Sequence, residues 1–461
     1  MNADAGLDLD AATRLCAAAF EQHAARLRLP SLAWGLVRDG AVLAGVDVDA
    51  VYRIASMTKS FTAAGVLMLR DAGLLALDEP IERYAPEFAA LRSPLPDAPL
   101  VTVRHLLTMS SGLATDDAWA DRHLDLRDDE LDAIVADGVT FAWMPGTTFE
   151  YSNLGYGVLG RVVRNITGST LQTYVTEHLL RPLGMTRTSW TAPDDAVVGY
   201  RARAAGGDAL VAEPMLGDGA IAPKGGLFST VADLARWVDF LASAFGPPHA
   251  VHDAVLGAAS RREMQQAARA YPAERSVTTG TWSQRGGGYG YGLNVLPHPA
   301  LGTIITHSGG LPGFGSNMRW VASTGVGLVA MSNSTYAPMM PTTAAVLDAL
   351  AEDGAVTNPP RPASPAVIAA SQQLVAMLNG AEADAMFADN VDLDEPPAER
   401  RRSAGRLLAD HGPFTLARVI AESTTSAIAI AHGSDIELHI GFQLAPISPS
   451  LIQSYDVTVV T

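Results

Sequence analysis

A serine hydroxyl becomes an effective nucleophile only when a neighbouring base takes its proton. A buried lysine can be that base because it can lose its charge, whereas arginine stays protonated. The 461-residue chain holds only two lysines, Lys59 and Lys224, and arginine supplies the rest of its 32 basic residues. Codon bias in a GC-rich genome explains the overall ratio. A task that needs an amine still falls on one of these two positions.

Lys59 closes the segment Ser56-Met57-Thr58-Lys59. Residues three apart share a helix face, so the hydroxyl and the amine can meet. A helix opening here also turns backbone N–H groups and a positive dipole end toward Ser56, which favours developing negative charge. The four-residue pattern alone is weak, because an N-cap serine followed by a surface lysine has the same spelling. The flank YRIASMTKSFTAAGVLML sets Lys59 among small and apolar residues, which a surface lysine does not require.

Two more clusters carry polar chemistry. Tyr151-Ser152-Asn153 precedes a glycine-rich helix start in GTTFEYSNLGYGVLGRVV. Tyr151 can shuttle a proton if neighbouring cations lower its pKa. Asn153 can hydrogen-bond both Lys59 and a substrate amide. His307-Ser308-Gly309-Gly310 ends a strand in GTIITHSGGLPGFGSNMRWV. Its glycines let a substrate backbone approach closely. The N–H groups of Gly310 and Ser56 can form a pair of oxyanion donors. His307 can bind a carboxylate or assist proton transfer. Taken singly, a packed tyrosine at a turn and a structural histidine are the simpler readings of these two clusters.

The surrounding pattern supplies the elements that must hold them. Apolar periodicity predicts a helix over residues 8–27. LAWGLVRDGAVLAG (32–45) reads as a hairpin turning at Asp39-Gly40. A helix opens near Ser56, and residues 78–225 are mostly helical. Strands are predicted at 289–296, 303–308, 315–322 and 325–332, with a helix at 341–353. Strands therefore bracket a helical stretch, which predicts one α/β sheet carrying an inserted all-helical lobe, with a ligand cleft at the junction. VTNPPRPASP (356–365) reads as a proline-rich linker. Residues 366–461 read as a separate small α+β domain without a catalytic constellation.

In order and context, these three motifs resemble those of the serine β-lactamase and penicillin-binding-protein superfamily, whose S-x-x-K, Y-x-N and K-T-G elements form one active site. The resemblance is strongest to the class C-like branch, with its D-aminopeptidases, D-alanyl-D-alanine carboxypeptidases, esterases and related transacylases. VTVRHLLTMSSGL (101–113), LLRPLGMTRTSW (179–190), GGLFSTVADLARW (225–237) and GGLPGFGSNMRW (309–320) extend it across residues 10–355. It implies an antiparallel sheet flanked by helices with a helical lobe, in a catalytic domain over 1–355. It also implies roles: Ser56 as the acylated serine, Lys59 as its activator, and Tyr151 as general base or proton shuttle. Asn153, His307, Gly309 and Gly310 then contact substrate, with Ser56 and Gly310 at the oxyanion positions. His307 departs from the lysine of true β-lactamases, which points toward peptidase- or esterase-like relatives.

Bulk properties narrow the rest. A net charge of −17 argues against nucleic acid and anionic membranes as partners. The single cysteine, Cys16, reads as a small buried hydrophobe. The opening MNADAGLDLDAATRL has no basic or apolar stretch, which predicts a cytoplasmic protein. His249 and His252 have near-metal spacing but no further ligands, so neither a metal nor a cofactor is expected. Asp116, Asp117 and Asp121 read as a solvated acidic loop, with contact to a cationic substrate as the alternative. The expectation is a serine acyl-enzyme hydrolase or acyltransferase acting on an amide or ester of a small or peptide-like substrate. A homo-oligomer is compatible with it. Transfer or peptide cyclisation, β-lactam hydrolysis and a non-catalytic binding protein are the alternatives.

Overall fold

The structure is a computed structural model, and it describes residues 8–201, 209–275, 282–284, 286–358 and 360–460. The chain divides into two compact units, Met1–Asn358 and Pro359–Thr461.

The first unit is built on an eight-stranded sheet whose pairings are all antiparallel. Its strands are β1 (Leu32–Arg38), β2 (Ala41–Val46), β3 (Arg269–Ala270), β4 (Gly288–Tyr289), β5 (Asn294–His298), β6 (Gly302–Leu311), β7 (Phe314–Val321) and β8 (Gly327–Ser332). Their spatial order is β2-β1-β8-β7-β6-β5-β4-β3. The hairpin at Asp39-Gly40 forms as the sequence implies. Both residues take positive φ, 50° and 73°, which the tight turn between twisted strands requires. The predicted strand at 289–296 is broken in two. Gly292, at φ 70°, turns the chain between β4 and β5, and a Cβ there would lie 2.5 Å from the Lys59 carbonyl oxygen.

Alternation along β1 explains the two layers that cover the sheet. Trp34 and Leu36 face the helices α1 (Leu9–Leu27) and α5 (Met340–Glu352), where Phe20 stacks on Trp34 at 5.2 Å. Ala33 and Val37 face the other way, into the main core with α4 (Val231–Ala242). Gly35 belongs to that second face, where a Cβ would meet the Val231 side chain at 2.5 Å.

Between β2 and α4 the described residues form short helices, loops and a two-stranded ladder (Tyr52–Arg53 with Phe228–Ser229) around two longer helices, α2 (Thr58–Asp71) and α3 (Asn153–Thr167). Residues 58–67 of α2 are all buried, so this part of the helix has no wet face, and only its last turn, with Arg70 and Asp71, reaches solvent. Its polar side chains are satisfied internally: Ser60 donates to the Met57 carbonyl at 2.8 Å and Thr62 to the Pro223 carbonyl at 2.7 Å. No described helix is long and apolar enough to cross a membrane.

The second unit holds helices Pro365–Leu378, Asp389–Asp394 and Pro397–His411, followed by a four-stranded antiparallel sheet. Its strands, Thr415–Ala421, Ser426–His432, Glu437–Leu444 and Ile452–Val460, pair in chain order over their own apolar core.

Candidate active site

Ser56 does not sit in the first turn of an α-helix. It lies in a 3₁₀ turn, Ala55–Met57, that leads into α2. Ala55 takes φ 49°, an unfavourable conformation for a residue with a Cβ, held here in a fully buried setting. The turn packs against β6, and Gly309 is what lets the strand come that close. A Cβ at Gly309 would lie 2.2 Å from the Ile54 carbonyl oxygen and 2.3 Å from Ser316 Oγ. The glycine therefore first serves contact between the strand and the turn that carries Ser56. Past Thr306, β6 has no pairing with β5, so residues 307–311 present an open edge to the cleft.

Lys59 is completely buried one turn beyond Ser56. Its Nζ lies 3.0 Å from Ser56 Oγ, 2.7 Å from Asn153 Oδ1 and 2.9 Å from the Lys224 carbonyl oxygen. Burial, and then the nearby Lys224 ammonium, lower its pKa from 10.5 to about 7, against opposing pulls from Asp117, Asp121 and Asp116. The hydrogen-bond inventory then closes. A neutral amine has two N–H groups and one lone pair. Two of its three neighbours are carbonyl oxygens that can only accept. The lone pair is left for the Ser56 hydroxyl.

Asn153 is oriented for this by its own partners. Its Nδ2 donates to Asp117 Oδ1 at 2.6 Å and to Asp116 Oδ1 at 3.2 Å, which turns Oδ1 toward Lys59. Asp116 also accepts from the backbone N–H groups of Asn153 and Leu154 at 2.7 Å each, closing the N-terminus of α3. Tyr151 hydrogen-bonds Ser56, and its ring centroid lies 4.8 Å from Lys59 Nζ. Burial holds the Tyr151 phenol well above its ordinary pKa. The lowered value on which a tyrosinate base would depend is not what this setting produces.

His307 is buried with both ring nitrogens engaged. Nδ1 donates to the Ser308 carbonyl at 2.6 Å, which fixes the tautomer, and Nε2 accepts from Tyr289 OH at 3.0 Å. Burial, aided by the charge of Lys59, pushes its pKa down to about 3. The ring is therefore neutral, and a charged imidazolium gripping a carboxylate is disfavoured.

Of the acidic residues expected to be solvated, Asp117 is exposed and Asp116 half-buried, but the structure corrects the expectation for Asp121. Asp121 is 4 % exposed and forms an ion pair with Lys224, while its second oxygen accepts from Tyr336 OH at 2.9 Å. Burial lowers the pKa of Lys224, and the adjoining carboxylate of Asp121 opposes this. Both lysines of the chain thus meet in one buried cluster. Scarcity of lysine was the sequence signal for Lys224, but its motif-free setting gave it no role. Asp116, Asp121, Tyr289 and Tyr336 had no such signal.

Ser56, Tyr151, His307, Gly309 and Gly310 line one cavity of about 500 Å³, together with Asp117, Asp121, Tyr336 and Arg319. Lys59 and Asn153 stand behind Ser56, in contact with it or with each other but outside that lining. Among the described residues, no group of three or more His, Cys, Asp or Glu side chains could hold a metal ion.

A family model described as "Beta-lactamase" matches residues 16–353, well over half of the chain. The chain belongs to the beta-lactamase family. Protein flp of Staphylococcus aureus strain N315 is 28 % identical over 301 residues, which cover 63 % of this chain and 54 % of that protein. The chain thus spans about half the length of the curated relatives of this kind. Esterase EstB of Burkholderia gladioli is 40 % identical over 153 residues, covering 30 % of this chain and 38 % of the esterase. Among solved structures, the octameric penicillin-binding protein homologue from Pyrococcus abyssi aligns with TM-score 0.57 at 20 % identity, over 97 % of this chain and 96 % of that one. A class C beta-lactamase mutant gives 0.59 at 19 % identity, over 76 % of this chain and all of the other. A D-stereospecific amidohydrolase from Streptomyces gives 0.56 at 23 % identity, over 73 % and 98 %. These structural likenesses establish the fold of the family: an antiparallel sheet with flanking helices and a helical lobe, here followed by a small sheet-containing unit. The family is one of serine acyl-enzyme hydrolases.

Proposed function

We propose that the chain is a serine hydrolase or acyltransferase that forms an acyl-enzyme on Ser56 from an amide or ester of a peptide-like substrate. The observation that carries this reading is the hydrogen-bond geometry of Lys59: two N–H groups spent on carbonyl oxygens and a lone pair left for Ser56 Oγ–H. A pKa of about 7 leaves a large neutral fraction near neutrality, where a base works best.

In this reading Lys59 takes the Ser56 proton as Oγ attacks the substrate carbonyl carbon. The N–H groups of Ser56 and Gly310 receive the oxyanion. The tetrahedral intermediate collapses, the leaving amine or alcohol takes up the proton, and Ser56 keeps the acyl group. Tyr151, protonated and hydrogen-bonded to Ser56, suits delivery of a proton to the leaving group better than its initial removal. Asn153 positions Lys59, and His307 and Gly309 shape the substrate edge. Water completes hydrolysis, and another nucleophile in its place gives transfer or cyclisation.

The histidine at 307, where true β-lactamases carry lysine, favours D-aminopeptidase-, carboxypeptidase- or esterase-type substrates over β-lactams. The match to an esterase and the fold of an amidohydrolase point the same way. A cytoplasmic setting and a homo-oligomer belong to the same proposal. The latter draws on the octameric state of the Pyrococcus relative.

The test is a fluorophosphonate probe followed by peptide mass spectrometry, alongside a panel of p-nitrophenyl esters, D- and L-aminoacyl anilides, nitrocefin and a peptidyl thioester. A covalent adduct on Ser56 and turnover lost in Ser56→Ala are expected. An unlabelled wild-type protein that turns over none of the panel would leave the non-catalytic binding protein as the better reading.

A further inference from the structure

Lys59 is well placed to activate Ser56 and badly placed for the second half of a hydrolysis. Its Nζ is wholly buried behind Ser56, outside the cavity lining. A water that attacks an ester on Ser56 arrives from the cavity, and it needs a base on that side.

Six titratable side chains line the cavity: Asp117, Asp121, Tyr151, His307, Arg319 and Tyr336. Five of them are unsuited to the task. The guanidinium of Arg319 has donors only. Burial keeps Tyr151 and Tyr336 as neutral phenols, which are very weak bases. His307 has Nδ1–H on the Ser308 carbonyl and Nε2 on Tyr289 OH. Asp121 has one oxygen on Lys224 and the other on Tyr336. Asp117 differs from all of these. It is exposed, and its Oδ1 accepts from Asn153 Nδ2 at 2.6 Å. Among the described residues its Oδ2 carries no hydrogen bond or ion pair.

Two observations set Asp117 beside the reacting groups. Asn153 bridges the site, since its Oδ1 accepts from Lys59 at 2.7 Å while its Nδ2 donates to Asp117. The Asp117 charge also acts on both side chains that hydrogen-bond Ser56. Burial first lowers the Lys59 pKa, and Asp117 is foremost among the carboxylates that oppose this. Burial first raises the Tyr151 pKa, and Asp117 is foremost among the carboxylates that add to it.

We propose that Asp117 is the general base of deacylation, taking a proton from the water that hydrolyses the Ser56 acyl-enzyme. This inference rests on the acyl-enzyme reading and extends it, because a chain with its own base for water is a hydrolase. Asp117 accepts one proton as the water oxygen bonds to the acyl carbon. The oxyanion then collapses, the bond from that carbon to Ser56 Oγ breaks, and the acid leaves. Ser56 Oγ takes the proton of the hydrogen-bonded Tyr151, which regains one from solvent, and Asp117 returns its own to solvent. Water and acyl-serine thus become acid and serine, with nothing oxidised or reduced.

The experiment compares wild type, Asp117→Asn and Ser56→Ala on p-nitrophenyl acetate. Asparagine keeps an oxygen that can accept from Asn153 and removes the base. Asp117→Asn is expected to release one p-nitrophenol per chain at close to the wild-type rate, then to turn over slower by roughly a hundredfold or more. Intact mass spectrometry should find an acetyl group accumulated on Ser56 in this variant, and none in Ser56→Ala. Its fluorophosphonate labelling should stay near that of wild type, since the first half-reaction is untouched. An Asp117→Asn protein that accumulates no acetyl group overturns the proposal, whether turnover is kept or lost. Turnover and labelling that fall together overturn it as well, and leave Asp117 as a support for Asn153. Failure of the acyl-enzyme reading shows separately, as a wild type that takes no fluorophosphonate label.

Discussion

Replacing Lys59 by methionine tests the charge state of the site without any substrate. Methionine has similar length and no charge, so it suits the buried position of Lys59. The fall of the Lys59 pKa from 10.5 to about 7 means that charging the amine in place costs about 5 kcal/mol more than in the unfolded chain. The sign follows from proton counting. Between about pH 7 and 10.5 the unfolded chain holds a proton on Lys59 that the folded protein does not, so folding stability from this group rises with pH. Below pH 7 the penalty is complete, and above 10.5 it vanishes. Integrated from pH 7 to pH 9, the wild type gains about 2 kcal/mol relative to Lys59→Met. Methionine also abandons the acceptors on Asn153 and Lys224, but that cost is nearly constant with pH and cancels in the comparison. The assay is urea unfolding of both proteins at the two pH values, followed by tryptophan fluorescence. All seven tryptophans lie in the first unit, so the signal reports the unit that carries the site. A stability difference that does not change with pH would refute a neutral Lys59, and with it the base assignment.

Four further outcomes follow from the same geometry. Ser56→Ala and Lys59→Ala are expected to abolish turnover while near-ultraviolet circular dichroism stays native, and full activity in either rules out the mechanism. The acidic limb of kcat/KM should lie near pH 7 and report Lys59. In Lys224→Met, which removes the neighbouring positive charge, that limb should move up by about one pH unit, whereas a purely structural role for Lys224 would lower activity without moving it. His307→Ala should cost less activity than Ser56→Ala, because the neutral ring shapes the edge and does not titrate in the working range. Equal losses would place it in proton transfer. Gly309→Val should lower the thermal midpoint and destabilise the first unit by about 2 kcal/mol or more, since the side chain would collide with the Ile54 carbonyl.

Much of this architecture is legible in the sequence because local rules and tertiary demands agree. Asp39-Gly40 can hardly be anything but a tight hairpin turn, and the strands predicted at 303–308, 315–322 and 325–332 stand in the folded sheet as β6 to β8. Ser56 and Lys59 were legible because three residues of spacing bring their side chains together even though a 3₁₀ turn replaces the first helical turn. What the sequence conceals depends on contacts between distant segments. Asp121 looks solvated beside Asp116 and Asp117 until residues more than a hundred positions away, Lys224 and Tyr336, close over it. The proton on His307 is decided by Tyr289 and by a backbone carbonyl, neither of which has a spacing rule. Arg319 reads as an ordinary strand residue, since its Nε is seen to lack an acceptor among the described residues only when they are placed around it.

The pairing of β1 with β8, Trp34 against Ala330, has a consequence for how the protein comes into being. The sheet joins residues almost three hundred positions apart, so its centre closes last during synthesis, at a considerable cost in chain entropy. Ser56 and Lys59 emerge early from the ribosome. Gly309 and Gly310, which bring the open edge of β6 and the proposed second oxyanion donor, arrive some two hundred and fifty residues later. A nascent chain therefore carries the proposed nucleophile long before it carries the surface against which that residue would work. On the proposed mechanism, order of synthesis itself would keep the unfinished protein from acylating, with reactivity appearing only once the sheet closes.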